Sequence, residues 1–273
     1  MTTRPVTEQP LSDRRTSAPA ALGSRPEGTH DEREARARVR EMFTRIAPTY
    51  DFLNHVLSLS LDRVWRRRTA KRFSSILGRP GAQAADICCG TGDLALALYR
   101  RSKKLSDSGR AHCQVIGIDF AIPMVELALG KARQADVPAP FLAGDALSLP
   151  FADGTFDLVT VGFGFRNLAN YEHGLKEIAR VLKPGGEVGI LEFSEAEKGV
   201  GAAAFRFYFR HILPHIGRAI AADSNAYSYL PKSVSKFPGP EGLACWMGRA
   251  GFENVGFKLW IFGSVALHTG RKS

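Results

Sequence analysis

Residues 84–95 read AADICCGTGDLA, an apolar run that passes through a turn with two glycines into the start of a helical pattern. A glycine turn between a strand and a helix forms a ligand site at the carboxyl end of a parallel sheet. Glycines at 90 and 92 allow close approach of a ligand to the backbone, and GTGDLA satisfies G-x-G-x-x-G/A. No lysine follows them as in a phosphate-binding P-loop. The stretch therefore favours a nucleoside-containing cofactor, with a dinucleotide as one option and a turn without a ligand as the alternative.

On either side of this stretch, short apolar runs alternate with helical patterns, as in a parallel sheet covered by helices. The predicted strands are 84–88, 114–119, 140–143, 156–161 and 187–193, the predicted helices are 93–102, 122–134, 171–182 and 239–250, and a sharp turn is predicted at Lys183–Gly186. The last two runs, 253–260 and 262–271, are nearly continuous and can pair only as an antiparallel hairpin. The sequence predicts an α/β fold: a doubly wound, mostly parallel, seven-stranded sheet with an antiparallel C-terminal hairpin.

Acidic residues follow the second and third predicted strands. Asp119 ends the second strand, where a carboxylate can accept hydrogen bonds from both hydroxyls of a ribose above the glycine turn. Asp145 follows the third strand, where it can accept from the exocyclic amino group of an adenine. Either acid alone is more typical of a loop or a helix cap. Together with the glycine turn they predict a nucleoside site.

The N-terminal third has a different organisation. Residues 1–30 are rich in proline, serine, threonine and arginine, and this composition predicts a disordered tail. Helical spacing of Val39, Met42, Phe43 and Ile46 predicts a helix that Pro48 ends. A second, basic helical stretch closes at Gly78 and Pro80, so we expect a helical cap over 31–80. The main domain should span 81–273, with an insert at about 195–238.

Composition limits the function classes. The 37 Lys and Arg exceed the 27 Asp and Glu, which gives a net charge of +10 and favours nucleic acid, an anionic membrane or an acidic ligand as partner. The four cysteines have no zinc-ligand or C-x-x-C spacing, so no metal site is predicted and reduced thiols are expected. No apolar run approaches the ~18 residues that a spanning helix needs, so any membrane contact should be peripheral.

Four motifs resemble those of the menaquinone/ubiquinone biosynthesis C-methyltransferases, which are class I S-adenosylmethionine-dependent enzymes with a Rossmann-like fold. The motifs are TRIAPTYD with LN (44–54), DICCGTGD (86–93), GFGFRNL (162–168) and RVLKPGG (180–186). Similarity covers about residues 40–272. A single glycine turn also separates this chain from dehydrogenases, which usually need a second mononucleotide half. By this resemblance, Gly90 and Thr91 contact the methionine part of S-adenosyl-L-methionine, Asp119 contacts the ribose, and Asp145 with the Ala146 backbone contacts the adenine.

The resemblance also implies a reaction, in which a methyl group passes to a ring carbon of a reduced, prenylated quinone. The expected conversion is demethylmenaquinol to menaquinol, and the alternatives are a methoxy-prenyl-benzoquinol of ubiquinone biosynthesis, another lipid-like acceptor or an RNA acceptor. Such a ring carbon becomes nucleophilic when its phenol loses a proton, so we expect Arg166 and Asn167 to hold the phenolate oxygen or a water that acts as base. Alternatively, Arg166 only pairs with a surface carboxylate. Tyr50, Asn54 and His55 are weaker substrate-site candidates.

A basic and aromatic stretch in the insert, residues 205–214, combines cations with apolar bulk as interfacial helices do. It could equally be the core side of a packed helix. Because the basic clusters lie mostly in segments added to the cofactor domain, we expect a cytoplasmic enzyme that associates peripherally with the inner face of the cell membrane. No nucleic-acid partner is expected, since no RNA-binding module is recognisable.

Overall fold

The computed structural model describes residues 23–26, 28–58, 60–106, 113–194 and 233–273. The predicted tail at 1–22 and the basic and aromatic stretch at 205–214 lie outside these ranges. The helices are α1 Glu32–Leu57, α2 Leu61–Arg72, α3 Ser74–Leu77, α4 Asp93–Leu105, α5 Ile122–Gln134, α6 Tyr171–Val181 and α7 Pro240–Arg249. The strands are β1 Gln83–Ile87, β2 Gln114–Asp119, β3 Phe141–Ala143, β4 Phe156–Gly162, β5 Leu182–Phe193, β6 Phe252–Trp260 and β7 Val265–Lys272. A 3₁₀ turn covers Phe165–Asn167.

The seven strands form one sheet in the order β3-β2-β1-β4-β5-β7-β6. Strands β1 to β5 are parallel, whereas β7 is antiparallel to both β5 and β6. The order reverses between β1 and β4, which is the switch point where open α/β sheets bind ligands. The predicted sheet and its antiparallel C-terminal hairpin are confirmed.

Both faces of the sheet are covered by helices, which explains the short apolar strands. Ala85 and Ile87 of β1 point into a core shared with α6 and α7, and Ala84 points into a second core shared with α2 to α5. Successive residues of β1 therefore serve opposite layers. This double burial leaves the strand ends at the carboxyl edge as the place for polar side chains.

The predicted end of the first helix at Pro48 is wrong, because α1 continues through Pro48 to Leu57. A proline inside a helix removes one hydrogen bond and costs ~3 kcal/mol or more. Packing around it offsets that cost: Ala47 is buried with Ala121 and Met124, and the Tyr50 ring lies 6.1 Å from the Phe43 ring. Tertiary contacts therefore override the local signal of the proline.

The predicted turn at Lys183–Gly186 is also corrected, since β5 already begins at Leu182. Gly185 has a φ of +75° and the pairing with β4 shifts register between Phe156 and Leu158. The glycines therefore form an irregularity at the beginning of a long strand, and α6 ends one residue earlier than expected, at Val181.

Residues 23–26 belong to the tail predicted to be disordered, but they contact the main domain. The amide of Ser24 donates to the Leu168 carbonyl at 2.7 Å, and Arg25 Nη1 donates to the Ala169 carbonyl at 2.5 Å. Ser24 is buried. These contacts are backbone-directed, so a composition argument does not detect them.

The β6–β7 hairpin turns tightly through Ile261, Phe262 and Gly263, whose φ angles are 47°, 54° and 83°. The Gly263 amide donates to the Trp260 carbonyl at 3.1 Å. Four residues separate the paired Trp260 and Val265, and two of them, Ile261 and Phe262, adopt the left-handed region that favours glycine and asparagine. Left-handed conformations of bulky residues cost ~1–3 kcal/mol each. The turn is thus strained, and it leaves the Phe262 side chain 62% exposed.

None of the helices within the described ranges combines the length and the apolar character that a membrane crossing requires.

Candidate active site

An open cavity lies at the carboxyl edge of the sheet. Its walls come from the ends of β1 to β4 and from α1, which lies across the edge. The lining residues are Arg36, Phe43, Tyr50, Cys88, Gly90, Asp119, Phe120, Met124, Gly144, Asp145, Ala146, Leu147, Phe163, Gly164, Asn167, Leu168 and Ala169. Three of them, Arg36, Phe43 and Tyr50, are spaced seven residues apart and so share one face of α1.

The glycine turn after β1 requires its glycines. Gly90 and Gly92 have φ angles of +55° and +84°, in the left-handed region that glycine adopts at little cost. A Cβ on Gly92 would lie 2.7 Å from Cε1 of Phe141, so the turn is also packed too closely for a side chain. Gly90, where the sequence predicts close approach of a ligand to the backbone, lines the cavity.

Asp119 ends β2 and faces the cavity. Its Oδ2 accepts from the Gly90 amide and its Oδ1 accepts from the Ala121 amide, both at 2.9 Å. Burial raises the pKa of this carboxyl, and the amide hydrogen bonds oppose that rise. Each carboxylate oxygen accepts more than one hydrogen bond, so lone pairs remain for the hydroxyls of a ribose.

Asp145 and Ala146 follow β3 and also line the cavity. The Leu147 amide donates to Asp145 Oδ1 at 2.9 Å, and Arg36 of α1 pairs with Oδ2. This arginine was not identified from the sequence. Through Arg36, the helical cap contacts the carboxylate that the sequence predicts as a hydrogen-bond acceptor for an adenine.

Thr91, for which the resemblance implies contact with the methionine part of S-adenosyl-L-methionine, directs its side chain toward Asp51 and Lys131. It is buried, does not line the cavity, and donates through Oγ1 to Asp51 Oδ1 at 2.5 Å. Lys131 Nζ donates to the same hydroxyl at 2.8 Å and contacts carboxylate oxygens of Asp51 at 2.7 Å and Asp93 at 2.8 Å. The Thr91 side chain therefore connects the glycine turn to α1 and α5.

Arg166 and Asn167, the predicted catalytic residues, lie next to each other in the 3₁₀ turn after β4. Asn167 lines the cavity, whereas Arg166 does not. Arg166 Nη1 donates to Glu192 Oε1 at 2.7 Å and to the Phe163 carbonyl, and its Cζ lies 5.3 Å from the centroid of the Phe193 ring. Its Nε is buried and has no hydrogen-bond partner among the described residues.

The partner of Arg166 is not the surface carboxylate of the alternative interpretation, because Glu192 is fully buried in β5. Glu192 was not identified from the sequence, although an acid within the apolar run of a central strand is a usable signal. The pair holds a positive and a negative charge side by side behind Phe163, which lines the cavity.

Among the weaker candidates, Tyr50 reaches the cavity and its ring lies 3.6 Å from the position of a Cβ on Gly90. Burial raises the pKa of the Tyr50 phenol, while a hydrogen bond with the Asn54 side chain opposes the rise. The side chain of His55 lies outside the described part of the molecule.

Cys88 and Cys89 precede the glycine turn. Cys88 lines the cavity, and Cys89 packs against the core that contains Phe141. Burial raises the pKa of both thiols well above the ordinary value. Cys113 is buried and its pKa is raised by burial to about 12, whereas Cys245 is exposed.

The structure thus brings five predicted site residues to one cavity, namely Gly90, Asp119, Asp145, Ala146 and Asn167. Thr91 and Arg166 do not line it, and their side chains contact Asp51 and Lys131, and Glu192, respectively. Sequence reasoning missed the α1 face with Arg36 and Phe43, and it missed Lys131 and Glu192. The seven-residue spacing of Arg36, Phe43 and Tyr50 was an available signal for the α1 face. A charged residue within an apolar run was the available signal for Glu192.

Known proteins with a similar sequence are methyltransferases. A protein of Thermus thermophilus named demethylmenaquinone methyltransferase is 44% identical over 229 residues, which cover 84% of this chain and 99% of the relative. One of the same name from Deinococcus radiodurans is 42% identical over 242 residues, or 89% of this chain and 95% of the relative.

Solved structures share the fold at low identity. A methyltransferase of Thermotoga maritima, described as SAM-dependent and possibly acting on histamine, has a TM-score of 0.59 at 20% identity and covers 86% of this chain and 100% of that one. A SAM-dependent methyltransferase of Aquifex aeolicus has a TM-score of 0.52 at 16% identity, covering 75% and 89%. The model of the ubiE/COQ5 methyltransferase family matches residues 30–272, and the chain belongs to this family.

Proposed function

We propose that this enzyme methylates a ring carbon of a reduced, prenylated quinone and converts demethylmenaquinol to menaquinol in menaquinone biosynthesis. The observation that carries the proposal is the single cavity that joins the nucleoside-facing acids to Asn167 and to the aromatic walls of Phe43, Tyr50 and Phe163. The relatives named demethylmenaquinone methyltransferase, at 44% and 42% identity, favour this acceptor over a methoxy-prenyl-benzoquinol.

The cofactor is S-adenosyl-L-methionine, and the residues present fit it. Asp119 keeps lone pairs for ribose hydroxyls after it has accepted two amide hydrogen bonds. Asp145 offers a carboxylate for the adenine amino group, and Gly90 leaves backbone space for the methionine part. When bound, this cofactor supplies an electrophilic methyl group on a positively charged sulfur.

The protein's contribution is to position the acceptor and stabilise its phenolate in a pocket that excludes water. We assign Asn167 to the acceptor oxygen, because it is the predicted catalytic side chain that reaches the cavity. Arg166 acts from behind Phe163, where its guanidinium is held by Glu192. A fixed positive charge near the cavity favours the ionised phenol over the neutral one.

We further propose the helical cap at 31–80 as the part that closes the cofactor cavity, since α1 supplies three of its lining residues. The segment at about 195–238 would contact the acceptor and the membrane. The protein would then work in the cytoplasm, peripherally bound to the inner face of the cell membrane, where a polyprenyl quinol is located. Methylation of an RNA is the competing activity, and an assay with labelled methyl donor and total RNA tests it.

The acceptor and the role of Asn167 are tested by comparing the wild type with Asn167→Leu in an assay with labelled S-adenosyl-L-methionine. The acceptors are chemically reduced, short-tailed demethylmenaquinone and, in parallel, a reduced methoxy-prenyl-benzoquinol. We expect kcat to fall by ~10²-fold, as for the loss of one well-placed donor, with cofactor affinity unchanged within about twofold. Gln134→Leu, an exposed change at the end of α5, is the control and should keep wild-type turnover. Equal turnover by Asn167→Leu would exclude the proposed role, and methylation of only the methoxy-prenyl-benzoquinol would reverse the choice of acceptor.

The role of Arg166 is tested by two charge changes in one buried pair. Arg166→Gln removes the positive charge and should move the acid limb of the kcat profile to higher pH, because the phenol then ionises less readily. Glu192→Gln removes the opposing negative charge and should move the limb to lower pH. A purely structural pair would lower stability in both variants without moving the limb in opposite directions.

A further inference from the structure

The turn of the β6–β7 hairpin projects from the same edge of the sheet as the cavity. Because β7 is antiparallel to β5, its first residue, Val265, pairs with Phe193 at the carboxyl end of β5. The residues between Trp260 and Val265 therefore lie at the carboxyl edge, beyond the ends of the parallel strands.

This turn presents an apolar side chain to solvent at a conformational cost. Phe262 is 62% exposed, the highest value among the exposed large hydrophobic residues of the described ranges. Ile261 and Phe262 both have left-handed backbones, where asparagine and glycine would be unstrained. Folding alone therefore does not favour phenylalanine at position 262.

A cation of α2, Arg68, lies beside the turn. Arg68 Cζ is 6.0 Å from the centroid of the Trp260 ring, and Leu61 and Trp65 pack in one cluster with Trp260 and Ile261. Val64, Arg67 and Arg68 are exposed in the first two turns of α2. Within the described ranges, Arg67 and Arg68 form no ion pair with a carboxylate.

The same cluster reaches the cavity. The Trp65 ring lies 5.8 Å from the Phe163 ring, which lines the cavity, and the Phe163 and Phe193 rings are 4.7 Å apart. A continuous apolar path of aromatic side chains thus connects the cavity wall to the base of the hairpin turn.

We propose that the hairpin turn at Ile261–Phe262 and the neighbouring basic face of α2 form a docking surface for an anionic lipid bilayer. An exposed aromatic side chain near exposed arginines that have no carboxylate partner within the described ranges suits the apolar interior and the anionic headgroups of such a bilayer. Docking here turns the carboxyl edge, and with it the cavity, toward the lipid. The inference rests on the proposed function in that the acceptor is taken to be a bilayer-resident quinol.

Binding of the full chain to vesicles tests the surface. Vesicles of phosphatidylcholine with phosphatidylglycerol are compared with pure phosphatidylcholine in a sedimentation assay. Phe262→Ser should weaken binding to the anionic vesicles by ~10-fold, because the variant lacks the aromatic side chain that would be buried in the bilayer. Arg67→Gln should weaken it by ~5-fold at low salt and by less at 0.5 M salt, as expected for one basic residue near the surface.

Matched controls come from α5, which packs on β2 and β3 at the other side of the sheet. Leu127→Ser removes an apolar side chain that is 38% exposed, and Arg133→Gln removes an exposed cation. Both should bind vesicles as the wild type does. Equal binding by wild type and Phe262→Ser, or equal losses in the controls, would overturn the proposal.

Two further outcomes point to other occupants of the surface and would also overturn it. A loss of dimerisation in Phe262→Ser, measured by analytical ultracentrifugation without lipid, would assign the turn to a second copy of the chain. Loss of RNA binding in place of vesicle binding by Arg67→Gln would assign the basic face to nucleic acid.

Turnover separates this inference from the proposed function. Phe262→Ser should methylate a soluble, short-tailed quinol at the wild-type rate, and it should methylate a long-tailed quinol in anionic vesicles ~10-fold more slowly at limiting lipid. If the wild type methylates neither quinol, the proposed function fails. If the wild type methylates both and Phe262→Ser loses neither vesicle binding nor long-tail turnover, only the docking surface fails.

Discussion

Asp86 lies at the centre of the sheet and is 1% exposed. Its carboxylate accepts from the Ala95 amide at 3.0 Å and from Thr160 Oγ1 at 2.7 Å. Burial raises its pKa from 3.8 to about 7, against the effect of these two hydrogen bonds. The residue ties β1 to the first turn of α4 and so fixes the glycine turn between them.

The raised pKa makes Asp86 a source of pH dependence in stability. The folded state keeps the proton where the unfolded chain has lost it, so this group's contribution to the free energy of unfolding falls as pH rises from about 4 to about 7. The fall is on the order of 4 kcal/mol. Asp86→Asn can still pair with Ala95 and Thr160 and does not ionise. The difference in unfolding free energy between variant and wild type should therefore rise across this range in urea titrations at several pH values.

Asp136→Asn, at an exposed position just after α5, serves as the control and should run parallel to the wild type at all pH values. Parallel curves for Asp86→Asn as well would show that the buried carboxyl does not titrate in this range.

The location of some predicted site residues follows from backbone position alone. Gly90, Asp119 and Asp145 follow parallel strands whose ends meet at one edge, so their meeting could be predicted. The directions of the Thr91 and Arg166 side chains could not be predicted, because they are set by partners 40 and 26 residues away in sequence. No local pattern contains Asp51 and Thr91 together.

At the scale of elements, Lys131 connects three parts of the site. Its ammonium contacts Asp51 of α1, Asp93 of α4 and the hydroxyl of Thr91, and its side chain is 25% exposed. Arg66 of α2 contacts the same Asp93 at 2.9 Å. The helical cap is therefore attached to the glycine turn by ion pairs as well as by apolar packing.

Lys131→Met should loosen this attachment. Two carboxylates lose their shared cation, so we expect a stability loss of ~1–3 kcal/mol, faster hydrogen exchange in the second half of α1 and weaker cofactor binding. Lys176→Met breaks an exposed pair with Glu172 within α6 and is the control, with an expected effect of at most ~0.5 kcal/mol. Unchanged exchange in α1 on loss of Lys131 would contradict the attachment.

The hairpin turn predicts a stabilising substitution. Phe262→Gly relieves a left-handed backbone at a position where the ring is largely exposed, and the gain should be ~1 kcal/mol, or ~2–4 °C in Tm. Phe262→Ala keeps the Cβ and should show no such gain by differential scanning calorimetry. A Tm of the glycine variant at or below that of the alanine variant would show that the turn is not strained.

The strands, and the helices that cover them, were predictable because strands buried on both faces have short, continuous apolar runs that alternate with helical patterns. The continuation of α1 past Pro48 was not, since it depends on Ala121 and Met124, which lie more than 70 residues later in the sequence. The beginning of β5 within the Lys-Pro-Gly-Gly segment was missed because the strand there pairs irregularly with β4.

On the scale of the whole molecule, the cavity is lined both by the carboxyl edge of the sheet and by the N-terminal helix α1. Ligand binding should therefore stabilise both. S-adenosyl-L-methionine at 100 times its Kd should add ~2.7 kcal/mol to the free energy of unfolding and raise the Tm by several degrees.

The distribution of the gain is the sharper measurement. Hydrogen exchange with cofactor should slow in α1 and at the ends of β1 and β2, and it should stay unchanged in β6 under conditions of local opening. Protection limited to the strands would show that α1 is not part of the cofactor site.

The net charge of +10 shows the limit of composition. It indicated an anionic partner but gave no location for the contact. The location that we propose rests on Arg68 beside Trp260, a contact between segments far apart in the chain. The fold class could be predicted because many residues contribute to it, whereas the charged surface depends on a few long-range contacts.

The unequal burial of the four cysteines gives the protein a selective chemical handle. Nucleophilic attack requires a thiolate, and the raised pKa values of Cys88, Cys89 and Cys113 keep these sulfurs protonated at neutral pH. Cys245 is exposed on α7, which packs against the β6–β7 hairpin. Cys245 is the exposed one of the four thiols, so a maleimide dye should attach there, on α7 and away from the glycine turn, without any substitution.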